Sequence, residues 1–420
     1  MNAPIPMTQP LKPTQPLKPT HPLKLNQNSV VTTKSGPSVA LDGWLLASGC
    51  GLLGLGLVMV TSSSLAIAEA QNVSAFYYAI RHAIAIVIGA FLAFLLYRTP
   101  LERIERVSIW LIWAALALLI LPWIPGLGVR LNGALRWIHL GFTNFQVVEA
   151  TKLLMVMYMA GYCVRQRSQL PVQWRGILKP LCMTSAAVLL LLTQPDFGSA
   201  ALILSVSLGL LWLAGARASY FSVIAIIGIT AMAGIAVLEP YRLQRFVGFL
   251  DPWADPYKSG FQLTQALIAV GRGEWFGVGL GDSVQKLFYL PEAHSDFIVA
   301  VIAEELGLAG IILVLTLFAL FVGRAFQLGM RALALGKHYA SYLAYGIALW
   351  FSLQALVSIG VNLGVLPTKG LTLPLISAGG SSVMISVAAL GLLFNISRVV
   401  RSTPPLPNPA LGSAAVGYKS

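Results

Sequence analysis

The chain is short of charge. Only 10% of its 420 residues are Asp, Glu, Lys or Arg, and 57% are hydrophobic, whereas soluble globular domains carry about 25% charged residues. A soluble core of this length could not cover so much apolar surface, so a water-soluble globular protein is excluded. Cysteine is scarce as well. Cys50, Cys163 and Cys182 each lie in or beside an apolar run without CxxC spacing, which excludes a disulfide framework or a cysteine-built zinc site and leaves them as small hydrophobes for helix packing. Sustained alternation of apolar and polar residues is missing, which argues against a membrane β-barrel. No HExxH, DxD or P-loop motif occurs. Gly277-Val278-Gly279-Leu280-Gly281 lacks the spacing and the βαβ context of a dinucleotide fingerprint, and His82, His139, His294 and His338 show no ligand spacing. The sequence thus builds in no cofactor and no metal site; whether a divalent cation assists is left open. Acids are outnumbered, giving a net charge of +13. A nucleic-acid binder would gather such charge in polar segments with aromatics between them. Here the bases sit in short links between apolar runs, which points to a membrane and away from nucleic acid.

Long apolar runs fill the rest of the chain. Each is near the roughly 20 residues that a helix needs to cross a bilayer. They cover about 44–64, 78–97, 107–123, 146–163, 178–194, 197–215, 219–238, 297–323, 341–361 and 377–397. The expected fold is an all-α polytopic membrane protein of about ten transmembrane helices. Residues 1–42 are rich in Pro and Lys, with Thr8-Gln9-Pro10-Leu11-Lys12-Pro13 repeated from Thr14 and imperfectly from Thr20; they are expected to form a disordered tail. The run after it is too long for a signal-peptide core and is read as an uncleaved first span. The membrane domain is then 43–400, and 401–420 is a short second tail. Most Lys and Arg, including Arg98, Arg103, Arg106, Arg165, Arg175, Arg324, Arg331 and Arg398, fall on one side if both termini are cytoplasmic, which sets the orientation. The connection 239–296, between the seventh and eighth spans, then lies outside. A loop that long is functional or disordered. Its aromatics favour an ordered active-site loop, with Phe261–Val270 lying on the membrane surface as a short amphipathic helix.

Orientation does not need the outer cations, among them Arg136, Arg242, Arg245, Lys286 and Lys369. Lys369 stands between Pro367 and Gly370, which fix a turn around it, and a cation there suits a diphosphate; snorkelling is the plainer explanation. Among the acids, Asp296 is directly followed by Phe297-Ile298-Val299-Ala300-Val301-Ile302, at the mouth of a helix. An acid there caps the helix, or, partly desolvated, serves as a general base. Glu304 and Glu305 lie deeper in the same span, where charge faces a cavity or a partner. Glu149 and Lys152, three residues apart, can pair on one helix face in a structural role.

Several segments resemble the SEDS family (shape, elongation, division and sporulation): Asn132-Gly133-Ala134 with Arg136-Trp137-Ile138, Phe145-Gln146 with Glu149 and Lys152, Gln194-Pro195-Asp196-Phe197-Gly198, Tyr289-Leu290-Pro291-Glu292-Ala293-His294-Ser295-Asp296-Phe297 running on to Glu304-Glu305-Leu306-Gly307, and Leu366-Pro367-Thr368-Lys369-Gly370-Leu371-Thr372-Leu373-Pro374 with Gly379-Gly380-Ser381-Ser382. They run in order across about 43–400. Asp251-Pro252-Trp253-Ala254-Asp255-Pro256, Gln262-Leu263-Thr264-Gln265 and Ser283-Val284-Gln285-Lys286 resemble the division-associated FtsW branch more than the elongation-associated RodA branch. Val147 and Val148 depart from a usual Pro-Ser, Asp282 from Asn, Ser295 from Thr and Ala378 from Tyr. The resemblance implies a peptidoglycan glycosyltransferase that polymerises lipid II at the outer face of the bacterial inner membrane, at the division septum. Undecaprenyl-diphosphate-linked glycan would be the donor and Asp296 the general base. Substrate contacts are expected from Lys369, Arg242, Arg245, Lys286, Glu292, His294, Arg136 and Gln265, with Glu149, Lys152, Glu304 and Glu305 in support. The expected partners are a class B penicillin-binding protein and other divisome proteins. A lipid II flippase or another transporter, and a non-catalytic divisome scaffold, are the alternatives.

Overall fold

The computed structural model describes residues 41–131, 133–139, 141, 144–238, 248–258 and 260–404. It contains helices α1 (Gly43–Ala70), α2 (Tyr77–Arg98), α3 (Leu101–Ile120), α4 (Val147–Arg165), α5 (Trp174–Thr193), α6 (Phe197–Leu213), α7 (Ala218–Leu238), α8 (Phe261–Gly273), α9 (Ile298–Ala334), α10 (His338–Asn362) and α11 (Gly380–Ser402). Among the described residues, eight helices are long and apolar enough to cross a membrane: α1 to α5 and α9 to α11. The two other expected spans coincide with α6 and α7, whose apolar lengths, Phe197–Leu213 and Ala218–Ala231, are shorter. The chain is thus a multi-pass helical membrane protein.

Burial sorts the helices. Nearly all of α4 is enclosed, with most of α10 and α11, whereas α2 and α3 turn large apolar side chains such as Val87, Phe91, Trp110 and Trp113 outward. With no hydrophobic drive between helices in lipid, association depends on close packing, which small residues permit. Gly391 of α11 shows this, since a Cβ there would run into the backbone of Ala93 on α2. The deep core is aromatic where α9 meets α10, with the Phe321 and Phe351 rings 4.9 Å apart and Trp350 beside them.

Three features depart from the sequence reading. First, the connection after α3 holds an antiparallel sheet of β1 (Gly128–Leu131), β2 (Ala134–His139) and β3 (Asn144–Gln146), with Trp137 opposite Gln146. Its strands are too short for a periodic signal. β3 runs directly into α4, and the Gln146 amide donates to Ser381 Oγ at 2.9 Å, tying the sheet to the start of α11. Second, α8, expected as a short amphipathic helix, is built into the helical body. It packs on the first part of α9, burying Leu263, Ala266 and Ala269, and Gly273 meets the backbone of Ala303 so closely that a Cβ would collide. Third, α9 is broken at Gly307, whose φ of 65° and ψ of −162° are open only to glycine at low cost. Backbone from 274–279 fills the break. Val278 and Gly279 donate to the carbonyls of Glu304 and Glu305 at 2.9 and 3.1 Å, and Leu308 and Ala309 donate to those of Glu274 and Trp275 at 2.9 and 3.1 Å. Residues 308–334 alone rise ~40 Å at 1.5 Å per residue, more than the hydrocarbon thickness of about 30 Å. The break therefore leaves, on its C-terminal side, a helix long enough to span a bilayer by itself.

The start of α1 is held by a clasp. Asp42, only 1% exposed, caps α1 by accepting from the Leu45 amide. It also accepts two-pronged hydrogen bonds from Arg324 of α9, at 2.7 to 3.1 Å, and one from Arg401 of α11 at 3.1 Å. Burial alone would raise the Asp42 carboxyl, but the hydrogen bonds and charge of Arg324 prevail and hold it below the ordinary aspartate value. Asp42 is thus anchored to the helical body, and α11 runs through Arg401 to Ser402. Residues 1–40, 239–247 and 405–420, and with them Arg242 and Arg245, lie outside the described residues.

Candidate active site

Asp296 stands two residues before α9. A polar clamp fixes that helix start: buried Asn362, the last residue of α10, donates from Nδ2 to the Asp296 carbonyl at 2.9 Å and accepts the Ala300 amide at Oδ1, 3.0 Å away. The Asp296 carboxylate is half-buried and lies against the Lys369–Gly370 turn, since Oδ2 is 2.9 Å from where a Gly370 Cβ would stand. Any side chain at 370 would crowd the carboxylate.

Beyond Gly370, the Lys369 ammonium sits 4.1 Å over the Phe197 ring. This cation–π contact helps to hold the charge in place. Phe197 opens α6, Gly198 packs on Leu371, and Asp196 caps the helix by accepting the Ser199 amide at 3.1 Å. The other carboxylate oxygen of Asp196 is 3.8 Å from Arg136 on β2. Arg136, Asp196, Phe197, Lys369, Gly370 and Asp296 thus form a continuous line from the sheet to the start of α9, alternating cation and acid around an aromatic.

The Lys369 turn is held from within the helical core. Lys152 donates to Glu149 and to Gln354, both at 2.9 Å, and lies 5.4 Å from the Trp350 ring. The Trp350 indole N–H also donates to Gln354, at 2.7 Å, and Gln354 Nε2 donates to the Thr372 carbonyl at 2.8 Å. Thr372 in turn donates to Ser382 at 2.9 Å. The Glu149–Lys152 pair thus reaches the turn through Gln354 in a buried polar chain, where every partner is needed because an unpaired polar group in apolar surroundings is costly.

Glu304 and Glu305, each fully buried, organise the connection before α9. Glu304 accepts from Arg272 at 3.1 Å, from the Val284 and Gln285 amides at 3.1 and 3.3 Å, and from the Ser283 hydroxyl. Glu305 accepts from Lys286 at 2.7 Å and from Ser62 of α1 at 2.7 Å. Lys286 was expected at the substrate. It is instead 5% exposed, and its ammonium is used by Glu305, Ser62 and the Gly281 carbonyl, at 2.7, 3.0 and 2.6 Å. All three donors are spent on pinning residues 281–286 to α1 and α9. Gln265 is half-buried on α8. Glu292 is exposed, holds a left-handed φ of 57°, and accepts from Ser295 at 2.7 Å. His294 stacks at 5.7 Å on Tyr78 of α2, and its carbonyl accepts the Ala378 amide at 2.9 Å. Burial holds the His294 imidazole below its ordinary value, although Glu292 pulls the other way. Sequence reasoning quoted Asp196 in a family motif without giving it a role, and missed Gln354, Asn362 and Ser62. Their one available signal was a polar side chain inside or at the edge of an apolar run.

The profile of the cell cycle protein family of FtsW, RodA and SpoVE matches residues 44–402. The chain belongs to this family. Its relatives include the probable peptidoglycan glycosyltransferase FtsW of Thioalkalivibrio sulfidiphilus, 50% identical over 87% of this chain and 92% of that protein. That of Legionella pneumophila is 45% identical over 89% and 94%. Among solved structures, a chain of a peptidoglycan synthase complex that coordinates polymerisation and crosslinking superposes with a TM-score of 0.70 at 28% identity, over 87% of this chain and 99% of that one. The rod shape determining protein RodA of Thermus thermophilus gives 0.63 at 26%, over the same shares. All of the line from Arg136 to Asp296 lies inside the matched region.

Proposed function

We propose that the chain is a peptidoglycan glycosyltransferase that polymerises lipid II during division. The observation that carries the mechanism is the Asp296 carboxylate set against the Lys369–Gly370 turn, beside the Arg136–Asp196 pair. Asp296 accepts the proton of the GlcNAc 4-hydroxyl of lipid II as that oxygen attacks the anomeric carbon of the donor glycan. The bond from that carbon to the diphosphate breaks with inversion, and undecaprenyl diphosphate leaves. Lys369 and Arg136 face the growing negative charge, as preorganised cations do in such sites. A positioned base contributes about 10²–10⁴-fold. The reaction sits at the outer face of the inner membrane at the septum, with both termini cytoplasmic, and the partners are a class B penicillin-binding protein and other division proteins. Those names on the relatives, and a structural neighbour that is part of a synthase complex, support this reading.

The break in α9 is the feature that a lipid II transporter would share. However, the backbone of 274–279 fills it. The deciding experiment gives purified protein lipid II and resolves the products on a gel. Glycan strands are expected from the native chain and none from Asp296→Asn at matched protein level. Undiminished strands from Asp296→Asn would remove Asp296 as the base, and none from the native chain, alone or with its transpeptidase partner, would overturn the activity.

A further inference from the structure

Among the buried side chains outside that line that lack a hydrogen-bond partner within the described residues, His82 is the one that stands beside the start of α11. His82 on α2 is 3% exposed, and among the described residues neither of its ring nitrogens has a hydrogen-bond partner. A buried polar group left unpaired costs about 1–3 kcal/mol, so the imidazole is placed for a partner that comes with a ligand. The buried residues of α2 are Ala79, His82, Ala85 and Gly89. Steps of three and four residues put them on one stripe. Lower on that stripe the neighbour is α11: a Cβ on Gly380 would touch Ala85 at 4.0 Å, and one on Gly89 would meet the Met384 carbonyl at 2.8 Å. One turn above His82, Tyr78 packs on His294, whose carbonyl accepts the Ala378 amide. His82 therefore faces the level at which α11 begins.

That helix begins without a side-chain cap. None of the hydrogen bonds among the described residues uses the Gly380, Ser381 or Ser382 amide as a donor, and Gly380 is exposed. Three unspent N–H groups, the first at exposed Gly380 and the next two at buried Ser381 and Ser382, therefore meet the positive end of the helix dipole. The Ser381 and Ser382 side chains, tied to Gln146 and Thr372, hold the helix start in place.

We infer that the N-terminus of α11 and the His82 imidazole form a phosphate-binding site separate from Arg136 and Lys369. The donor set, three amides and a ring N–H, is what a phosphate takes at a helix start. Transfer between two lipid-linked sugars handles two diphosphates at once, and the line from Arg136 to Lys369 provides for one. The lipid identity of the ligand rests on the proposed activity; the phosphate itself rests only on the donors.

The test is equilibrium binding to the full chain in detergent, with undecaprenyl diphosphate, undecaprenol and inorganic pyrophosphate as probes. Gly380→Pro removes one amide at the first helical position, where proline is tolerated. Gly379 before it is already extended, with φ −131° and ψ 93°, as a residue preceding proline should be. His82→Leu removes the imidazole, and His82→Gln restores a donor. The expected result is two sites for undecaprenyl diphosphate, one weakened about tenfold by Gly380→Pro and by His82→Leu, since a hydrogen bond to a charged group is worth about that much. His82→Gln should recover most of the loss, and Lys369→Ala should weaken the other site. Equal sensitivity of inorganic pyrophosphate would support the site and make free phosphate its ligand. Undecaprenol binding as tightly as the diphosphate, or isotherms unmoved by both Gly380→Pro and His82→Leu in protein that melts like the native chain, would overturn it. Binding is read without turnover, so a chain that makes no glycan but still loses this site in the variants would refute the activity and not the site.

Discussion

Glu305→Gln is the perturbation that separates the two roles open to Lys286. At 2.7 Å, the pair attracts by roughly 6 kcal/mol at an effective dielectric near 20, and most of that is offset by the several kcal/mol needed to strip water from each ion. Glutamine keeps the shape but leaves the Lys286 ammonium, 5% exposed, without a counter-charge. Removing one member of a buried pair costs about 3–5 kcal/mol, and the loss falls where α1, α9 and the 281–286 segment meet. Replacing both members, as in Lys286→Met with Glu305→Gln, removes the stranded charge and should recover most of that loss, because an apolar substitute for a buried pair is often neutral. Thermal unfolding of the purified native chain, both single variants and the double variant closes the cycle. If Lys286 anchors the loop, the double variant melts well above Glu305→Gln and regains glycan synthesis. A double variant no more stable than Glu305→Gln, or a Glu305→Gln protein that melts like the native chain, would refute the reasoning. Restored stability without restored synthesis would return Lys286 to the substrate.

Three further outcomes are expected. Lys369→Ala should lower polymerisation of lipid II strongly in the gel assay, and Lys369→Arg should keep part of it, because guanidinium retains the charge and stacks on Phe197 but differs in reach and geometry. Gly307→Ala forces a side chain into a glycine-only conformation, at about 1–3 kcal/mol for the strain alone, and drives it into the backbone of 275–277; protease sensitivity of the 274–279 segment should rise well before global melting. The Asp42 clasp sets a pH limit. Its carboxyl is held low in the folded chain, so its contribution is complete above the unfolded aspartate value near 3.9 and is lost as pH falls through the folded value. Melting temperature should therefore drop on acidification below about pH 4, and less steeply in Asp42→Asn.

Composition and run length determined the class of this protein. When apolar residues dominate and charge is confined to the links, only helices or a closed barrel satisfy the backbone in a bilayer, because no water is there to bond it, and the missing alternation leaves helices. The same local evidence marked Asp296 at a helix mouth, Lys369 in a Pro–Gly turn, and Glu149 with Lys152 on one face, since each depends on neighbours a few residues away. The ordered family motifs extended that legibility to Arg136 and to the loop. Tertiary structure alone decided the rest. The destination of Lys286 depends on Ser62 and Glu305, 224 and 19 residues away in sequence, and nothing local distinguishes an ammonium that will meet a substrate from one that will meet a buried carboxylate. The break at Gly307 was likewise invisible. Glycine is common in membrane helices, and only the 274–279 backbone coming to rest beside it turns a tolerated residue into a required one. His82 showed only an absence of ligand spacing, and it took the packed neighbours to reveal that neither nitrogen has a partner among the described residues. Local sequence sets which groups a segment carries; the long-range packing of helices sets which of them are already spent.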